Sequence, residues 1–188
     1  MRLFIAVNFD DVILDAIEGA IGAFPIARPP WRWAARGTWH ITLKFLGDTP
    51  AESVDRLGSI LQDVARRHDP FEMNLSGFDG FPNLFRPRVL FYAAERGAEE
   101  LAALSGDIHG ALAERAGVRA ETKPFRAHAT VARIKTRIGR PAAEALRSVS
   151  ALEGAVQTVA AFDLMESQLG PKGSKYTLLK RFALGNSA

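Results

Sequence analysis

Two stretches of the chain, "WHITLKFLGD" (residues 39–48) and "AHATVARI" (127–134), carry one formula: His-x-Thr followed by an aliphatic residue. Side chains of a strand alternate between its two faces. His40 and Thr42 therefore share one face, with Ile41, Leu43 and Phe45 on the other, and His128 and Thr130 are paired in the same way. His128 follows His40 by 88 residues, close to half of the 188-residue chain, the offset that two similar halves would give. A register slip of one residue would turn either histidine onto the apolar face. The repeat therefore constrains the fold to two related units, each presenting a polar pair from a strand otherwise suited to burial.

The pattern around the motifs fills in those units. Residues 2–9 ("RLFIAVNF") form a short β-rich run, and Ile13, Ala16, Ile17, Ala20, Ile21 and Phe24 then recur with helical period. Pro25, Pro29 and Pro30 end that helix and open a loop. After the first motif, Thr49, Pro50 and Glu52 read as N-cap, first helical residue and capping-box partner of a helix continued by Val54, Leu57, Leu61 and Val64. Strands are expected at 71–78 and 88–94, joined by a loop that includes Arg86. Arg86 and Arg88 suit a solvated turn or a phosphate contact. A third helix is predicted over 98–116, capped by Gly117, then the second motif strand, a short helix over 141–149, and strands at 157–167 and 175–184. This order predicts an α+β fold, mainly antiparallel sheets with helices on their outer faces, in two lobes of a single domain spanning 1–188.

Composition narrows the chemistry. With 47% hydrophobic and 24% charged residues the chain can build a full core. It contains no cysteine, which excludes disulfides and cysteine-based zinc or iron–sulfur sites. The start "MRLFIAVNFDD" lacks the features of a signal peptide, and no apolar run reaches the ~20 residues of a membrane span. A soluble, cytoplasmic monomer is expected. The net charge of +3 suits a polyanionic partner.

Other candidate residues read more simply. His68 stands at a helix end and His109 inside the third helix, as structural or solvated residues. The motif strands have no neighbouring carboxylates and the chain has no His-Glu-x-x-His helix, so a metal site is not expected. "GPKGSK" (170–175) lacks P-loop spacing. Trp31, Trp33 and Trp39 suit partly buried anchors, with base stacking as the alternative.

The two motifs resemble the paired His-x-Thr signatures of the two-histidine (2H) phosphoesterases, in particular the 2'-5' RNA ligase-like branch also called RNA 2',3'-cyclic phosphodiesterases. "MRLFIAV", "WRWAARGTWHITLKFLGD" and "LMESQLGPKGSKYTLL" are similar to that branch's opening strand, first-motif block and closing segment. The resemblance implies a bilobal duplicated fold with the motif strands facing a cleft, and neither metal nor cofactor. Ala127 and Ala129 depart from it, standing where the branch usually has proline and a bulky apolar residue.

Hydrolysis of a cyclic phosphate needs a base for the attacking water and an acid for the leaving oxygen. Two imidazoles, with ordinary pKa near ~6.5, supply both. His40 and His128 are the expected acid–base pair, with Thr42 and Thr130 as hydroxyl donors to phosphate oxygens. The resemblance gives Arg133 a phosphate-binding role. Strict alternation places it opposite His128, so that role requires a bulge or strand end before it, and Arg126 lies on the histidine face as the alternative. Lys44 shares the face of His40 and could steer RNA or be an exposed strand-end residue; Tyr176 offers a hydroxyl or stacking surface, or core packing. The expected substrates are RNAs ending in 2',3'-cyclic phosphate, tRNA fragments among them, or small cyclic nucleotides. The expected product is a 2'-phosphomonoester, with weak reverse 2'-5' ligation. Cleavage of 2'-5' linkages and a non-catalytic module that binds RNA ends are the alternatives.

Overall fold

The structure, a computed structural model, describes all residues except 25–30, 120, 122, 136–137, 149–151, 153, 171–172 and 186–188. Nine strands and four α-helices follow one another among the described residues. They are β1 (Arg2–Asn8), α1 (Asp11–Gly22), β2 (Arg32–Trp33), β3 (His40–Asp48), α2 (Val54–Ala65), β4 (Phe71–Phe81), β5 (Val89–Ala94), α3 (Ala98–Ala116), β6 (His128–Arg133), α4 (Arg140–Ser148), β7 (Val156–Val159), β8 (Ala161–Gly170) and β9 (Gly173–Ala183). Local chemistry accounts for the helix ends. Asp10 caps α1 by accepting from the Ile13 N–H, and Gly117 closes α3 at φ 66°, a left-handed conformation that glycine adopts without steric cost.

Every strand pair recorded is antiparallel, and the order is β7-β4-β5-β6-β3-β1-β8-β9, with β2 beside β6. The order reads outward alike from its centre, where the two motif strands β3 and β6 meet. The two expected sheets are thus the halves of one path, joined where Ile41 lies across from Ala129. On one face, Leu3, Ile5, Val7, Ile41, Leu43, Leu90, Tyr92, Ala129 and Val131 pack with the apolar sides of α1, α2 and α3. The other face is left to the histidines.

Several expectations needed correction. The helix after the first motif begins with a 3-10 turn at Ala51–Ser53, and the Thr49 hydroxyl donates to the Gly47 carbonyl, so no capping box forms at Thr49. The strand expected over 157–167 is two strands, β7 and β8, and β4 runs on to Phe81. β2 is too short to leave a periodic signal. Pro25, Pro29 and Pro30 lie outside the described residues. No helix among the described residues is long and apolar enough to cross a membrane.

Candidate active site

The site begins with a bulge repeated in both motif strands. Along β3, Thr42 pairs with Ala6 and Lys44 with Ile5, which leaves Leu43 without a partner. Along β6, Thr130 pairs with Phe91 and Ala132 with Leu90, which leaves Val131 unpartnered. Each extra residue shifts the alternation by one. Leu43 and Lys44 both turn to the buried face, as do Val131 and Ala132, and the residue five positions after each histidine returns to the histidine's own face.

An unpartnered bulge carbonyl needs donors from elsewhere. The Val131 carbonyl accepts from the Ala34 N–H at 2.8 Å. The Leu43 carbonyl accepts from Ser105 Oγ at 2.9 Å and His109 Nε2 at 3.2 Å, two side chains one turn apart on α3. The signal for this clamp was a polar pair at i, i+4 inside a helix face otherwise made of Leu101, Leu104, Ile108 and Leu112. His109 is thus structural, with a task that the helix pattern by itself does not reveal.

The bulges decide where the candidate residues go. Arg133 comes to the face of His128, opposite Val89 of β5, and makes no ion pair among the described residues. Lys44 does not share the face of His40. Its side chain is 3% exposed, on the far side of the sheet, where Nζ donates to the Arg119 carbonyl at 3.0 Å and to Glu121 Oε1 at 3.2 Å. Phe45 is on the cleft face and 63% exposed, contrary to strict alternation. Arg126 lies on the histidine face but is committed, ion-paired to Asp79 with its guanidinium over the rings of Phe81 and Phe91.

Both histidines are held by one device. His40 Nδ1 lies 2.8 Å from the Thr38 carbonyl, and His128 Nδ1 lies 2.7 Å from the Arg126 carbonyl, in each case the residue two positions earlier. A carbonyl only accepts, so Nδ1 carries the proton in both neutral rings and Nε2 keeps its lone pair. His40 Nε2 lies 3.0 Å from Thr42 Oγ1. Two aromatic rings flank each imidazole: Phe4 at 5.0 Å and Tyr176 at 5.3 Å for His40, Phe81 at 5.2 Å and Phe91 at 5.1 Å for His128. Tyr176 is thereby placed on the cleft face, packed on Phe4.

These surroundings set the charge state. Burial pushes His40 down to about 4, against the opposing pull of the Thr38 carbonyl, with proximity to His128 lowering it further. Burial likewise lowers His128, with the Arg126 carbonyl opposing and the Arg126 charge adding to the depression. Both rings are neutral near pH 7, and each has a basic Nε2.

The register that sets Ile41 across from Ala129 places His40 beside Thr130 and Thr42 beside His128 on the cleft face. Diagonal neighbours in such a pair stand roughly 7–8 Å apart. A gap of that order is wide enough for one tetrahedral phosphate. No group of three or more His, Asp or Glu side chains able to hold a metal ion occurs among the described residues.

A family model described as the 2'-5' RNA ligase superfamily matches residues 15–171. The chain belongs to this superfamily. It is 35% identical over 191 residues to the RNA 2',3'-cyclic phosphodiesterase of Thermus thermophilus, an alignment covering 98% of this chain and 90% of that one. The enzyme of the same name from Aquifex aeolicus is 31% identical over 155 residues, 82% of each chain. A solved crystal structure of a Thermus thermophilus protein superposes with a TM-score of 0.80 at 32% identity, covering 99% of this chain and 100% of that one.

The remaining histidines and tryptophans fall outside the face that carries His40 and His128. His68 Nε2 bonds Asp107 at 3.0 Å on the helical side. Trp31 and Trp39 are buried in the core, and Trp33 packs against it, as anchors. Phe4 and Phe91 read in the sequence as ordinary strand aromatics and Phe81 as a loop residue, and nothing there marks them as neighbours of the histidines.

Proposed function

We propose that this protein hydrolyses the 2',3'-cyclic phosphate at RNA ends, leaving a 2'-phosphate and a free 3'-hydroxyl. The observation that carries the proposal is the pair of imidazoles held alike, each Nδ1 tied to the backbone carbonyl two residues earlier, on the two strands that meet at the centre of the sheet. In the reaction one Nε2 takes a proton from water as the water oxygen attacks phosphorus. The bond from phosphorus to the 3' oxygen breaks, and the other imidazole, as imidazolium, protonates that oxygen. A docked phosphate anion favours the protonated form of a nearby imidazole, which offsets the desolvation that keeps both rings neutral in the free protein. Thr42 and Thr130 donate to the non-bridging oxygens, and Arg133, free of carboxylate partners among the described residues, neutralises their charge.

With a 5'-hydroxyl in place of water, the same groups join two ends through a 2'-5' bond. Phosphate binding alone would be served better by Arg or Lys than by two neutral histidines, which favours catalysis over an idle binding module.

The experiment is incubation of the purified protein, with excess chelator, with a short oligonucleotide ending in 2',3'-cyclic phosphate. A 2'-phosphate product formed at an undiminished rate is expected. A 3'-phosphate, or activity lost in chelator and restored by one divalent ion, would overturn the mechanism.

A further inference from the structure

Arg133 has a second cation directly across from it. Beyond the Ile41–Ala129 pair, β2 takes the place of β3 beside β6, with Arg32 opposite Arg133 and Trp33 opposite Ala132. Trp33 packs against the core beside the buried Ala132, so alternation puts Arg32 with Arg133 on the histidine face. Like charges directly opposite in a ladder, with β-carbons about 5 Å apart, destabilise the pairing. Neither guanidinium has a carboxylate partner among the described residues, whereas Arg126 pairs with Asp79 and Arg181 with Asp163. The pair therefore disfavours the free protein and favours any state that brings anions to it.

The two cations point to separate places. Arg32 is exposed, and its Nη2 lies 3.9 Å from where a β-carbon on Gly173 would stand, at the start of β9. Its guanidinium thus extends away from β6 toward the β8–β9 hairpin of the other half, across the end of the cleft. An RNA end supplies two anions in that relation. The terminal nucleotide carries its cyclic phosphate on the 2' and 3' oxygens and has no 3' neighbour, so the next anion along the chain is the phosphodiester on its own 5' oxygen.

Resting on the hydrolase function proposed above, we propose that Arg32 binds this 5' phosphodiester while Arg133 takes the cyclic phosphate. A free 2',3'-cyclic mononucleotide has a hydroxyl at that place. The contact therefore separates an RNA end from a mononucleotide, and as a backbone contact it reads no base.

The test compares adenosine 2',3'-cyclic phosphate with the same compound carrying a 5'-methylphosphate, which adds one phosphodiester and no second base. The wild type should prefer the diester-bearing compound in kcat/KM by about 10–100-fold, the span of a hydrogen bond between charged groups. Added salt should shrink that ratio. Arg32→Ala, and Arg32→Gln, which keeps the length and loses the charge, should bring the ratio toward one. Arg32→Lys should retain part of it, with circular dichroism confirming that the variants are folded. A wild-type ratio near one, or a preference that survives in Arg32→Ala and Arg32→Gln, overturns the proposal while leaving the hydrolase reading intact. Should the wild type turn over neither compound, the hydrolase reading falls, and the contact is judged by calorimetric binding of adenosine 2'-monophosphate with and without the 5'-methylphosphate. A preference that Arg32→Ala abolishes supports the contact; one that survives, or none at all, removes it.

Discussion

Ile41 lies across from Ala129 at the one recorded pairing between the two motif strands, and that pairing sets each histidine beside the other strand's threonine. Both residues are fully buried. The small side chain at Ala129 therefore fits a closed seam. Ala129→Leu is expected to cost about 1–3 kcal/mol by overpacking and to lower kcat, because spreading the seam separates the four polar groups. Thermal melting and steady-state kinetics check it; full activity with an unchanged melting temperature would show that the seam tolerates the larger residue.

The bulge clamp on α3 makes a second expectation. Ser105→Ala and His109→Ala together remove both side-chain donors to the Leu43 carbonyl, whose loss exposes a buried acceptor worth about 1–3 kcal/mol. Because the bulge sets the facing of Thr42 against Phe45, kcat should fall more than KM rises. Ser105→Thr, which keeps a hydroxyl, should restore most of the rate. A loss of melting temperature with unaltered kcat would make the clamp purely structural.

Much of this site was legible in the sequence because strand alternation fixes His40 with Thr42 and His128 with Thr130 whatever the tertiary structure. Alternation failed two residues beyond each threonine. A bulge depends on where the neighbouring strand finds its partners, which is non-local, so alternation alone puts Lys44 and Phe45 on the wrong faces. The phosphate role that the resemblance gives Arg133 required a bulge or a strand end before it, and a bulge is there. The aromatic rings that desolvate the histidines come from β1, β4, β5 and β9, and only the sheet order brings them together.

Arg133 and Arg126 can be separated by substitution. Arg133→Ala should raise KM by about 10–100-fold, as expected for losing charge-assisted bonds to a phosphate. Arg126→Ala should have a smaller effect on KM, because its guanidinium is already spoken for by Asp79. The reverse ranking in steady-state assays would move the phosphate contact to Arg126.

The depressed histidines fix a pH dependence. Titration of the free protein governs kcat/KM. Both rings are held below the usual 6.5, His40 at about 4, so the optimum of kcat/KM should lie on the acid side of 6.5. The limbs belong to the coupled pair and not to single residues. At saturating substrate the alkaline limb of kcat should move up, since the bound phosphate favours an imidazolium. The sign for stability is that of a group lowered on folding through burial of its neutral form. His40's contribution is complete above 6.5 and is lost as pH falls through about 4, with a slope of at most about 1.4 kcal/mol per pH unit. His40→Phe should flatten the fall in melting temperature between pH 6.5 and 4 relative to wild type.

The decisive expectation concerns the two histidines together. If His40 and His128 serve one displacement as acid and base, either single change to alanine should cost roughly 10²–10⁴-fold in rate. The double variant should lose far less than the product of the single losses, because groups that act as a unit in one transition state are not additive. Neither ring belongs to the main core; each lies on the cleft face between aromatic neighbours. The variants should therefore remain folded by circular dichroism, which separates a chemical loss from a structural one. Two single losses that multiply in the double variant would mean independent roles, such as phosphate binding by one ring and proton transfer by the other. Near-normal turnover in either single variant would sink the two-histidine mechanism, and the protein would then be better described as a module that binds RNA ends.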